Sequence, residues 1–129
     1  MTGVQTCALP IYVNAKGWDQ PVYTVLGCAL GAAKLLELDR DQTGHALSLA
    51  LTPNMALAQA RRGSLSSWKG CAGANATRNA VFAALLAKEG FTGPTAVFDG
   101  DGGLWETIDR KSTRLNSSHI PLSRMPSSA

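Results

Sequence analysis

Three polar side chains have the type and setting to do chemistry: Lys69, Asp19 and Arg78. Lys69 stands in "SLSSWKGCAG", a stretch of serines and glycines that reads as a loop before a helix. A cation ahead of a helix N-terminus can hold negative charge, and a buried lysine can move protons because burial lowers its pKa. Taken alone, the stretch reads as a solvated lysine in a polar loop. Arg78 could grip a carboxylate with two parallel N–H bonds; it could equally pair with an acid elsewhere, and the structural reading leads. Asp19, in "GWDQP", could act as a carboxylate base or orient one, or simply be a polar residue before Pro21 at a helix start. Cys71 and Cys28 read as small apolar residues rather than nucleophiles. His45, among Ala, Leu and Gly, reads as a helix-surface residue. "FDGDGG" alternates two aspartates with glycine but lacks the other oxygen ligands of a calcium loop. We expect no cofactor and no metal.

Charge narrows the partners. Residues 12–108 hold eight Lys/Arg and eight Asp/Glu, so the formal +3 comes from residues 109–129, with four basic residues and one acid. No basic stripe with interleaved aromatics runs through the neutral part, so a nucleic-acid partner is not expected. No apolar run reaches the length needed to span a bilayer, and no membrane partner is expected. Three cysteines, widely spaced and without a CxxC, fit a reducing compartment. The start lacks a basic n-region, so we expect a cytoplasmic protein.

The elements that position these residues are helical. Residues 21–38 place Val22, Leu26, Ala29, Leu30, Ala33, Leu36 and Leu38 at helical spacings, with Pro21 suited to the first turn. Gly27 and Gly31 lie four apart, which suggests that another backbone packs close. Asp39 and Gln42 form a capping-box pattern, Asp41 adds favourable charge to that first turn, and Ala46, Leu47, Ala50 and Leu51 make a stripe that Pro53 ends. "NMALAQARRG" predicts a short third helix closed by Gly63. "ANATRNAVFAALLAKEG" is the clearest helix, with Val81, Phe82, Leu85 and Leu86 as its buried seam, Gly90 as C′ and Phe91 folding back onto its end. "FTGPTAVFDGDGGLW" is turn-rich, with at most a short strand at Thr95–Phe98. The fold class is all-α, and the small-sided helices suggest a slice of a larger helical domain.

Residues 17–105 resemble the MmgE/PrpD family. The matching pieces are "GWDQPVYTVLGCALGAAKLLELDRDQTGHALSLAL", "WKGCAGANATRNAVFAALLAKEGFTGP" and "FDGDGGLW". A Lys followed nine residues later by Arg-Asn, an Ala-rich helix and "GFTGP" is the most specific signal. The family includes 2-methylcitrate dehydratase, cis-aconitate decarboxylase and an epimerase of iminodisuccinate. The resemblance implies part of a large helical domain at 12–108. For the parent it implies a homodimer and a hydro-lyase acting on small di- or tricarboxylates, with decarboxylation or epimerisation as alternatives. It makes Lys69 and Asp19 the candidate catalytic residues and Arg78 the candidate substrate-binding one. Two positions depart from the family. Asp19 stands where many members have a His, and Ala72 stands where a His follows the lysine by three. Both weaken any assignment to 2-methylcitrate itself.

The flanks resemble something else. "TGVQTCALPI" and "DRKSTRLNSSH" match the translations of opposite strands of a common short-read sequencing adapter, and "SRMPSSA" its downstream part. Residues 1–11 and 109–129 are therefore expected to lie outside the domain, with Tyr12 and Ile108 as junctions. Two other readings stand beside the lyase: an enzyme fragment inactive by itself, and a small basic helical binding protein, which requires a genuine tail.

Overall fold

The computed structural model describes residues 13–64 and 66–109, and these build an all-α structure. Residues 1–12 and 110–129, with nearly all of the adapter-like flanks, lie outside the described residues. After a helical turn at 13–15 come α1 (Pro21–Leu35), α2 (Arg40–Leu51), a 3-10 turn (Ala58–Arg61), α3 (Trp68–Lys88) and the short α4 (Leu104–Asp109).

Local chemistry sets the helix ends. Pro21 opens α1, where a missing N–H costs nothing. The helix stops at Leu35, three residues short of the expected Leu38, in a Schellman arrangement: Glu37 N–H donates to Lys34 O and Leu38 N–H to Ala33 O. The left-handed residue is Glu37, at φ 57°, where glycine is the usual occupant. The capping box at α2 forms as its sequence predicts. Asp39 Oδ1 accepts from Gln42 N–H at 2.8 Å, and Gln42 Oε1 accepts from Asp39 N–H at 3.1 Å. α2 ends at Leu51, two residues before Pro53. α3 closes on a second Schellman turn with Gly90 at φ 84°; Gly90 N–H reaches Ala87 O and Phe91 N–H reaches Leu86 O. The backbone of Phe91 thus folds back, while its ring stays 58% exposed.

The three long helices form a bundle in which α3 packs against both α1 and α2. Val25 and Ala29 cluster with Ala50, Ala76, Ala80 and Ala83, and further along Ala32 clusters with Ala46, Ala84 and Ala87. α1 and α3 therefore run parallel, with α2 antiparallel between their ends. A third cluster closes one end, joining Val13, Val22, Leu51, Leu104 and Ile108. Ile108, read as a junction residue, is thus part of the packing.

The interior of α3 is not the seam that the large side chains predict. Its buried face is Ala72, Ala76, Ala80, Ala83, Ala84 and Ala87. Val81, Phe82 and Leu85 are 41%, 62% and 45% exposed. The alanines recur at spacings of three and four just as a core stripe should. Wedged between two helices that themselves offer Ala29, Ala32, Ala33, Ala46 and Ala50, α3 fits only with its narrow face inward. α1 is rotated in the same sense, with Val25 and Ala32 buried and Leu30 half exposed. Close approach is therefore made by alanines. At Gly27 and Gly31 an added Cβ meets nothing within 4 Å among the described residues, contrary to the expected backbone contact.

Two further expectations are corrected. The third helix is only the four-residue 3-10 turn, because residues 56–58 are drawn out to pair with 17–19. Residues 95–99 form a turn, not a strand, with Gly100 N–H on Ala96 O and Leu104 N–H on Val97 O. "GFTGP" brings the chain back onto α2, where a Cβ on Gly93 would stand 2.7 Å from Ser48 Cβ.

Candidate functional site

Lys69 lies in the first turn of α3, not in a loop before it, because the helix begins at Trp68. The side chain is exposed. Two first-turn amides are already used: Lys69 N–H bonds Ser66 O and Gly70 N–H bonds Ser67 O. Lys69, Ala72, Asn75 and Ala76 follow one another along one stripe of α3. The lower three line a polar cleft of about 150 Å³, closed on its other sides by Pro21 and Pro53–Ala56. Ala72 thus faces a cleft, and its methyl group brings no proton-transfer chemistry there.

Asp19 is held elsewhere than a solvated helix start. The Trp18–Leu57 bridge, with Asp19 N–H on Ala56 O and Ala58 N–H on Gly17 O, lays residues 17–19 against the 3-10 turn. That turn delivers Arg61, whose Nε donates to Asp19 Oδ1 at 2.5 Å. Gln20 N–H donates to the same oxygen at 2.8 Å. The carboxylate is 1% exposed, and its Oδ2 is buried without a hydrogen-bond partner among the described residues. Sequence reading did not single out Arg61; the only signal was an Arg pair just before a glycine.

Arg78 lies midway along α3 and is exposed. Its Nη2 donates to Asn75 Oδ1 at 2.8 Å and to Asn79 Oδ1 at 3.1 Å, and its Nε to Asn79 Oδ1 at 3.3 Å. The Nε–Nη2 edge is thus engaged by neutral amides rather than by an acid. Asn79 bonds Asn54, which with Pro53 separates the polar cleft from an apolar one of about 290 Å³ bounded by Leu49, Phe82, Ala83 and Leu86. Asn54 and Asn75 escaped the sequence reading, since isolated asparagines carry no spacing signal.

The remaining candidates are structural in their settings. His45 Nδ1 accepts from Gly93 N–H at 3.3 Å. Cys28 Sγ lies 3.4 Å from Thr77 Oγ1, tying α1 to α3, and Cys71 is exposed on α3. Asp99 and Asp101 are exposed on the glycine-rich turn. Among the described residues no cluster of His, Cys, Asp and Glu could hold a metal, and no helix is long and apolar enough to cross a membrane.

Comparison with known proteins agrees with this architecture. The family model for the MmgE/PrpD N-terminal domain matches residues 4–114, most of the chain. The cis-aconitate decarboxylase-like protein oryM of Aspergillus oryzae is 36% identical over 95 residues, which cover 73% of this chain and 19% of that protein. The chain therefore spans about one fifth of that curated relative's length. No solved structure matches. With the family model matched over all of the described helices, the chain belongs to the MmgE/PrpD family, through its N-terminal domain.

Proposed function

We propose that this chain is part of an enzyme that acts on small di- or tricarboxylates, a carbon–oxygen lyase of the 2-methylcitrate dehydratase kind. The observation that carries this reading is the stripe of α3 on which Lys69 precedes the cleft-lining Ala72, Asn75 and Ala76. In such chemistry a base removes a proton beside a carboxylate, cations hold the enolate-like charge, and an acid protonates the leaving hydroxyl. Lys69 is the charge-holding group. Arg78 binds a substrate carboxylate through the part of its guanidinium that the asparagines leave open. Asp19, two residues before the cleft-lining Pro21, is the carboxylate that acts as base or orients one. The scheme needs no metal or cofactor.

A second reading, decarboxylation, is favoured by the cis-aconitate decarboxylase-like name of the relative; epimerisation would use the same intermediate. In either case the working enzyme is the longer polypeptide, a cytoplasmic homodimer, and this chain by itself is inactive. The exposed stripe of Val81, Phe82 and Leu85 is the kind of surface that the rest of such a polypeptide, or a second subunit, would cover. The remaining alternative, a basic binding protein, depends on residues 109–129, which fall almost wholly outside the described residues.

The test is turnover of 2-methylcitrate and cis-aconitate by the full-length protein, with Lys69→Ala beside it. We expect the variant to lose about two or more orders of magnitude in kcat with its fold intact. An unchanged rate removes Lys69 from the site. Turnover by the 129-residue chain alone would refute the inactive-fragment reading.

A further inference from the structure

Arg78 has no ion pair among the described residues, yet its guanidinium is fixed through neutral groups. The chain of contacts starts at the Ala50 carbonyl, which can only accept, and takes a hydrogen bond from Asn54 Nδ2 at 2.7 Å. Asn54 Oδ1 therefore faces Asn79, whose Nδ2 donates to it at 2.5 Å. Asn79 Oδ1 is thereby turned to Arg78, which can only donate, and accepts from both Nε and Nη2. The two ends dictate both amides: flipping either would oppose donor to donor and acceptor to acceptor. Asn75 Oδ1, on the cleft wall, takes a further Nη2 bond, and Nη1 has no partner among the described residues.

We propose that Asn54 and Asn79 are positioning residues for Arg78, holding its guanidinium fixed but not neutralised, so that Nη1 presents its charge to a substrate carboxylate at the rim of the cleft. An aspartate at position 79 would still accept from Nε and Nη2, at the cost of the bond to Asn54 Oδ1, and would cancel the charge; asparagine holds the guanidinium and leaves the charge available. The contact to substrate is then through Nη1 alone, not the paired bonds expected from sequence. This inference rests on the di- or tricarboxylate reading above.

The experiment follows the Arg78 Nε–Hε signal by nitrogen-15 NMR in the full-length protein, using tricarballylate as the carboxylate probe, and measures steady-state kinetics alongside. We expect Asn54→Leu, which touches no atom of Arg78, to abolish the slowly exchanging Arg78 signal as Asn79→Ala does. Asn79→Asp should keep the signal yet weaken tricarballylate binding by about tenfold or more, and all three should raise KM far more than they lower kcat. An Arg78 signal unchanged in Asn54→Leu overturns the relay. If Asn54→Leu fails to fold, Asn79→Asp decides: tricarballylate affinity equal to the wild type overturns the proposal. Loss of turnover in Lys69→Ala is read separately, so a failure of the lyase reading and a failure of the Arg78 relay are distinguishable.

Discussion

Inverting the character of two neighbouring positions on α3 separates the observed packing from the one that side-chain size suggests. Phe82 is 62% exposed, so little more than a third of its surface is buried. Full burial of a Phe contributes about 1.5–3 kcal/mol, so Phe82→Ser forfeits roughly 0.6–1.1 kcal/mol. Ala80 is 0% exposed and lies within the cluster of Val25, Ala29, Ala50, Ala76 and Ala83. Ala80→Leu forces three more carbons between helices held apart only by methyl groups, which costs about 1–3 kcal/mol or more. The assay is urea unfolding of the 129-residue chain followed by far-UV circular dichroism, with the same pair repeated in the full-length protein. In the isolated chain Ala80→Leu should be clearly the more damaging change. In the full-length protein Phe82→Ser should cost more than in the chain alone if, as proposed, the rest of the polypeptide covers its ring. If Phe82→Ser were worse than Ala80→Leu in the isolated chain, the large residues would be its core and the described packing would be wrong.

Other substitutions test single joints of the fold. Glu37→Gly should stabilise by about 1 kcal/mol, since a left-handed residue is strained for any side chain, and a higher urea midpoint with an unchanged slope would show it. Arg61→Ala should cost about 3 kcal/mol, the lower end for a broken buried pair because Arg61 is 32% exposed. Adding Asp19→Asn to that variant should recover part of the loss, and a double-mutant cycle without coupling would count against the pair. Gly93→Ala should cost about 1–3 kcal/mol, because its Cβ would stand 2.7 Å from Ser48 Cβ and 3.1 Å from Leu49 N; an unshifted melting temperature would contradict that close approach.

Features set by neighbours in sequence were legible without coordinates. The capping box at Asp39, the proline start of α1, the end of α2 before Pro53 and the glycine end of α3 each depend on groups a few residues apart. The all-α class and family membership followed from the helical periodicities and from the "WKGCAGANATRNAVFAALLAKEGFTGP" stretch. The start of α3 was less legible, because Gly70 and Gly73 lower helix propensity and the first turn is closed by backbone bonds from Lys69 to Ser66 and from Gly70 to Ser67, with no side-chain cap to mark it.

What the sequence determined by itself was the local grammar: where helices start and stop, and that a lysine, an arginine and an aspartate were candidates for chemistry. Tertiary structure alone decided which face of α3 turns inward, because the alanines and the large side chains repeat equally well and only the narrow gap between α1 and α2 chooses. It alone brought Arg61 onto Asp19 across 42 positions of sequence and Asn54 onto Asn79 across 25. Such contacts are fixed by the packing of helices, and no spacing along the chain encodes them.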